Sequence, residues 1–181
     1  MLPLAVTLAM TAVLQAQSPT PAPAPDLTDP EVAHVAVTAN SIDIEMAKLV
    51  PSHTRNAAVT KFATTMITDH SAVNGQAVAL ATKLGVTPKD NAVSQSLQSG
   101  AAQARSTLEP LHGAAFDRAY MDREVAYHQA VLDAIDKVLI PTTENAELRK
   151  LLVDVRPAIA MHLELAKQIR SQLSAPARTG Q

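Results

Sequence analysis

The chain has 181 residues, enough for one domain with a sizeable core and too few for two. It is 47% apolar yet holds only two Tyr, two Phe and five Gly, the composition of packed helices and not of a sheet. A net charge of −2 gives no footprint for nucleic acid, and the lack of Cys excludes disulfides, thiolate metal sites and a Cys nucleophile.

The opening run MLPLAVTLAMTAVLQAQS is uncharged and apolar, ends in small and polar residues, and is short of a membrane span. It reads as an export signal over residues 1–17, cut near Ala16 or Gln17. No Lys or Arg stands in its first few positions and Leu14 takes a place where a small residue is preferred, so an N-terminal anchor is the alternative. No Cys follows, so a lipid-anchored lipoprotein is not expected. Residues 18–28, with the alternating prolines of SPTPAPAP, read as an extended linker.

Helix 1 is predicted from Asp29, with Pro30 tolerated in the first turn and Glu31 complementing the helix dipole, to about Val50 before Pro51. Its core face is Val32, Val35, Ala39, Ile42 and Met46. Helix 2 restarts between Ser52 and Asn56 and ends at Leu84, where Gly85 can adopt the left-handed conformation. Phe62, Met66, Val73, Ala77, Leu80 and Leu84 form its stripe, with His70 inside it and Asp69 alongside. Thr87-Pro88 opens a shorter, Gln- and Ser-rich helix ending near Pro110, read as a crossover or lid.

Helix 3 follows Gly113, carries Phe116, Tyr120, Tyr127, Val131 and Ile135 on its apolar side with His128 among them, and stops before Pro141. Helix 4 covers about Thr143 to Leu173 with a bend expected at Pro157. Its stripe of Leu152, Val155, Ile159, Ala166, Ile169 and Leu173 is broken only by His162. Residues 175–181 are expected to be disordered. The fold class is all-α: an antiparallel four-helix bundle over residues 29–174, with an additional short helix between helices 2 and 3.

Heights along such a bundle follow from about 1.5 Å per residue. Taking the end of helix 2, the start of helix 3 and the end of helix 4 as one end of the bundle puts His70, His128 and His162 roughly 21, 22 and 18 Å from it, a single layer. Asp43 lands roughly one turn away, and Glu124 sits one turn below His128 at i and i+4. Neutral imidazole with one or two carboxylates suits Zn, Fe, Mn or Cu. The alternative is a hydrogen-bonded polar layer that sets helix register and binds nothing.

The remaining histidines carry less. His53 and His112 fall in predicted loops and are expected to be solvated. Glu31 and His34 form one Glu-x-x-His, a spacing that di-iron bundles need on two helices, so ferroxidase or peroxidase chemistry is not expected. Tyr120 and Asp117 stand three apart on helix 3, and a structural Tyr bonded through its hydroxyl to a nearby acid or carbonyl is the simpler account. No phosphate loop or nucleophile motif appears, so no catalytic residue is assigned.

IDIEMAKLV, VTKFATTMITDHSAVN, GAAFDRAYMDREVAYHQAVL and RPAIAMHLELAK, in that order, resemble an exported bacterial ferritin-like family of unknown function, often labelled putative outer membrane protein. The resemblance covers about residues 30–173. Asp69-His70, Phe116-Asp117, Tyr120, His128, Pro157 and His162 match the family pattern position by position. Asp43 stands where the family more often has Glu, and Glu124 where it often has Met or Gln, which demotes Glu124 from ligand to support. The resemblance implies a ferritin-like bundle in the periplasm or envelope, and helices do not build a transmembrane barrel.

Three readings follow. The first is a metal-binding layer for storage, buffering or stress-related redox protection. The second is a non-enzymatic envelope module whose partner, an envelope protein, meets the short helix 87–110. The third is a metalloenzyme with Tyr120 near the metal. The oligomeric state is left open.

Overall fold

The computed structural model describes residues 25–174, so the predicted signal, most of the linker and the tail lie outside the described residues. Every element among these is helical: α1 Asp29–Ala47, α2 Val50–His53, α3 Ala57–Leu84, α4 Ala92–Leu108, α5 Gly113–Ala134, a π-helical turn Ile135–Leu139, α6 Ile140–Thr142 and α7 Ala146–Ser174. None of these helices is long and apolar enough to cross a membrane.

Helix α1 starts at a capping box in which Glu31 Oε2 accepts from the Thr28 amide at 3.0 Å and the Thr28 hydroxyl at 2.7 Å. Lys89 Nζ pairs with the other Glu31 oxygen at 3.0 Å, so Glu31 is occupied as a cap and an ion-pair partner. Asn56 caps α3, its Oδ1 accepting from the Ala58 and Val59 amides, and its Nδ2 donates to Asp117 Oδ2 at 3.0 Å on α5. One side chain thus starts one helix and ties down another. Asn56→Ala is expected to cost about 2 kcal/mol, the loss of a cap plus a buried acceptor, read as a lower urea midpoint at unchanged slope.

The first predicted helix is broken earlier than expected, at Ala47, and Pro51 sits inside the short α2, because a proline needs no amide partner in a first turn. Helix 3 was expected to stop before Pro141, yet the helical rod continues to Thr142. The wider π turn directly before Pro141 loosens the i→i−4 ladder into which a proline ring would clash. Helix α7 begins after Asn145, whose Oδ1 accepts from the Glu147 and Leu148 amides, and runs on through Pro157.

Helices α1 and α3 form one antiparallel hairpin and α5 and α7 another, as the pairs His70–Asn40 and Arg170–Asp122 with Arg156–Asp136 require. Between the hairpins, α3 meets α7 through Asp69 and His162, and α1 meets α5 through Arg123–Asp43 and Tyr127–Ala39. Helix α4 runs parallel to α1, from Asn91 beside Glu31 to Arg105 beside Glu45. It therefore carries the chain the whole length of the bundle.

That course corrects the height argument: α3 ends where α7 begins, at Lys83–Glu147, while α5 begins at the opposite end, where His53 Nε2 contacts the Glu109 carbonyl. The three histidines still share one level because each lies near the middle of its helix. Two apolar clusters lie on either side of them. One holds Met46, Phe62, Met66, Phe116, Tyr120 and Ile169, and the other Val32, Val35, Ile135, Leu152, Ile159 and Leu163.

Candidate metal centre

Between the two clusters lie Asp43 from α1, His70 from α3, Glu124 and His128 from α5, and His162 from α7, all buried. The imidazole rings form a near-equilateral triangle, with centroids 5.8 Å apart for His70–His128, 5.3 Å for His70–His162 and 5.6 Å for His128–His162. One ligand atom from each of the three lies within 4.8 Å of the others, and the same holds for Asp43, Glu124 and His128. Three helices supply the triangle, so only the assembled bundle contains it.

Each ring uses one nitrogen as an anchor. His128 Nδ1 lies 2.9 Å from the Glu124 carbonyl and His162 Nε2 lies 2.9 Å from Asp69 Oδ2. Both partners only accept, so these nitrogens carry the protons and the lone pairs are left on His128 Nε2 and His162 Nδ1. His70 Nδ1 lies 2.7 Å from Asn40 Oδ1, which assigns it the same role and leaves the lone pair on Nε2. All three remaining nitrogens are buried and have no hydrogen-bond partner among the described residues. His70 Nε2 comes within 3.1 Å of Asp43 Oδ2, also unpartnered, without hydrogen-bond alignment. Lone pairs that face one another at this range repel unless a cation lies between them.

Burial disfavours the charged form of two of the rings. Burial, opposed by the Asp43 charge, brings His70 down to about 4, and burial likewise lowers His128. Burial would raise Asp43, but the positive charge of His128 and His70 when protonated, together with that of Arg123, outweighs it and holds its carboxyl below the ordinary value. Burial and the neighbouring Asp43 charge push Glu124 well above the usual carboxylate range. The two acids thus divide their roles, Asp43 ionised and Glu124 protonated.

The signs of these shifts give a pH prediction. His70 is depressed, so the unfolded chain takes up protons first as pH falls from 6.5 towards 4 and stability drops in that window. Glu124 is raised, so its contribution is full below 4.5 and is lost as pH rises. Glu124→Gln, the neutral isostere, is expected to gain stability relative to the parent between pH 4.5 and pH 7, measured by urea midpoints of the two proteins in chelator.

Sequence reasoning passed over Arg123, whose Nη1 contacts Asp43 Oδ1 at 2.9 Å and Glu124 Oε1 at 2.5 Å while its guanidinium stacks 4.0 Å from the Tyr127 ring centroid. Asn40, the anchor of His70, was passed over as well. Both could have been found from spacing, since Arg123 stands at i−4 to Tyr127 and Asn40 at i−3 to Asp43.

Other expectations need correction. The buried Tyr120 hydroxyl has no hydrogen-bond partner among the described residues, and Asp117 is engaged by Asn56 instead. Tyr120 is held by its ring, stacked on Phe116 at 5.7 Å and edge-on to Phe62 at 6.3 Å. His53 is half-buried in α2 and not a solvated loop residue: it stacks on His112 at 4.9 Å and Phe116 at 4.7 Å, while His112 is exposed. His34 lies apart from the layer, 3.8 Å from Asp90 at the start of α4.

The family model described as a domain of unknown function, DUF4142, matches residues 14–169. The chain belongs to this family. No curated protein and no solved structure was found to match it. The DUF4142 match takes in all five residues of the buried polar layer, so the layer is part of the domain and not an appendage to it.

Proposed function

We propose that this DUF4142 domain is an exported, ferritin-like bundle that binds one transition-metal ion at His70, His128 and His162, with Asp43 as the oxygen donor. The observation that carries it is the set of three buried imidazole nitrogens left without partners while the opposite nitrogen of each ring is anchored. A ligating histidine is commonly held in this way, its second nitrogen donating to a carbonyl or carboxylate. A purely structural layer would leave three imidazole lone pairs buried at a cost of about 1–3 kcal/mol each.

The ferritin-like assignment is supported by topology: neighbouring helices antiparallel, two hairpins, and a full-length crossover between the second and third helices of the bundle. Imidazole with carboxylate suits Fe, Zn, Mn or Cu. The Arg123 guanidinium between Asp43 and Glu124 already supplies a positive charge there, so the second group of donors does not add a second ion. Export rests on the opening apolar run, and the periplasm or envelope as its destination on the family resemblance.

Elemental analysis of untagged protein tests the reading. It is expected to give about one Fe, Zn, Mn or Cu per chain, and none in the His70→Ala/His128→Ala/His162→Ala variant. A metal-free parent that stays metal-free after incubation with each of the four ions would overturn it.

A further inference from the structure

Helix α4 packs more closely on α1 than on α5. An open groove of about 610 Å³ is lined by α4, α5 and Ile42 of α1. Its width follows from the sequence: α4 contributes Gly100, Ala101 and Ala104 to the lining and α5 contributes Ala126, side chains too short to fill the space between the two helices.

Arg123 is the one charged residue in this lining. Its Nη1 is engaged by Asp43 and Glu124, and the Tyr127 ring 4.0 Å away fixes the plane of the guanidinium. Tyr127 is itself held, its hydroxyl donating to the Ala39 carbonyl at 2.8 Å. Arg123 Nε and Nη2 have no hydrogen-bond partner among the described residues, and neither is closed off from solvent. These two nitrogens form one edge of the guanidinium, a fork whose parallel N–H groups match the two oxygens of a carboxylate. Arg156 shows the match within this chain: its Nε and Nη2 hold Asp136 Oδ1 and Oδ2 at 2.6 Å each.

We propose that the groove between α4 and α5 binds a small monocarboxylate, its two oxygens on the Nε and Nη2 edge of Arg123 and its apolar body along Ile42, Val93, Leu97 and Tyr127. The lining selects this class. Apart from Arg123 its polar side chains are Ser96 and Tyr127, and the Tyr127 hydroxyl is already engaged, so a phosphate would bring charge and oxygens that the lining does not meet. Asp43 already balances the Arg123 charge, so binding draws on two directed hydrogen bonds and on burial of the body, and a ligand needs both parts. The guanidinium is fixed before the ligand arrives and loses no further freedom on binding. No hydrogen bond of Arg123 involves an imidazole of the layer, and the inference does not rest on metal binding.

The test is an NMR titration of the metal-free full chain with hexanoate, hexanol, acetate and inorganic phosphate, followed through the Arg123 Nε–H signal and the methyl signals of Ile42, Val93 and Leu97. Hexanoate is expected to shift both sets and to saturate, while hexanol and acetate, each lacking one part of the ligand, bind about tenfold or more weakly. Gly100→Phe adds a ring at a lining position with open space around it and is expected to abolish hexanoate binding. Gly75→Phe, at an equally open glycine of α3 outside the groove, is expected to leave it unchanged. Arg123→Lys keeps the charge and loses the fork, and is expected to bind hexanoate and hexanol alike. Equal affinity of the parent for hexanoate and hexanol, methyl shifts without a shift of the Arg123 Nε–H, phosphate binding tighter than hexanoate, or binding that survives Gly100→Phe would each overturn the proposal. If Gly100→Phe fails to fold, Ala104→Phe fills the groove from the same helix, and the comparison of ligands on the parent decides in either case.

Discussion

Arg123→Met is expected to lower stability by about 3–5 kcal/mol at neutral pH, the largest effect of any single substitution outside the apolar clusters. The guanidinium is nearly buried, contacts both Asp43 and Glu124, and among the described residues is the one Lys or Arg side chain in contact with them. Methionine fills much of the volume, so the loss is electrostatic: Asp43 stays buried with its countercharge gone. The penalty is expected to shrink as pH falls through the range where Asp43 takes up a proton in the variant, and urea unfolding of both proteins at pH 7 and pH 4 measures it. An equal penalty at the two pH values would assign the effect to lost packing against Tyr127.

The second large effect is metal-linked. On the metal-binding reading, an ion at a thousandfold its dissociation constant is expected to stabilise the chain by about 4 kcal/mol, visible as a higher unfolding midpoint that chelator reverses. The triple histidine variant is expected to show no such increment. Asp69→Asn is the more discriminating change, because it spares every ligand and removes only the carboxylate that orients His162. Its affinity is expected to fall about 10- to 100-fold, whereas a hydrogen-bonded layer would give the same stability with and without metal in every variant.

Much of the fold was legible because its helices carry strong boundary signals: Gly85 does adopt a left-handed φ of 63° and closes α3 where the periodicity ends. The convergence of His70, His128 and His162 was also legible, although α3 ends at the opposite end of the bundle from the start of α5 and the end of α7, which the height argument placed together. It survived because a residue near the middle of a helix keeps its height whichever way the helix runs. What spacing could not supply was direction within the layer. Which nitrogen is anchored depends on Asn40, Asp69 and the Glu124 carbonyl, contacts that cross between helices or run along the backbone. Pro141 misled because a proline reads as a stop unless the turn before it widens, and nothing local in Ile135–Leu139 announces a π turn.

The order in which the polar layer is assembled follows from where its members lie. Asp43 and His70 belong to the α1–α3 hairpin, while Arg123, Glu124, His128 and His162 belong to the α5–α7 hairpin. Each hairpin can form from contacts close in sequence, and the layer closes only when the two dock. Anything that bridges the layer, ion or proton, therefore acts as a latch. It leaves the search of each hairpin for its own shape untouched and slows their separation, so its signature belongs in the rate of unfolding and not in the rate of folding.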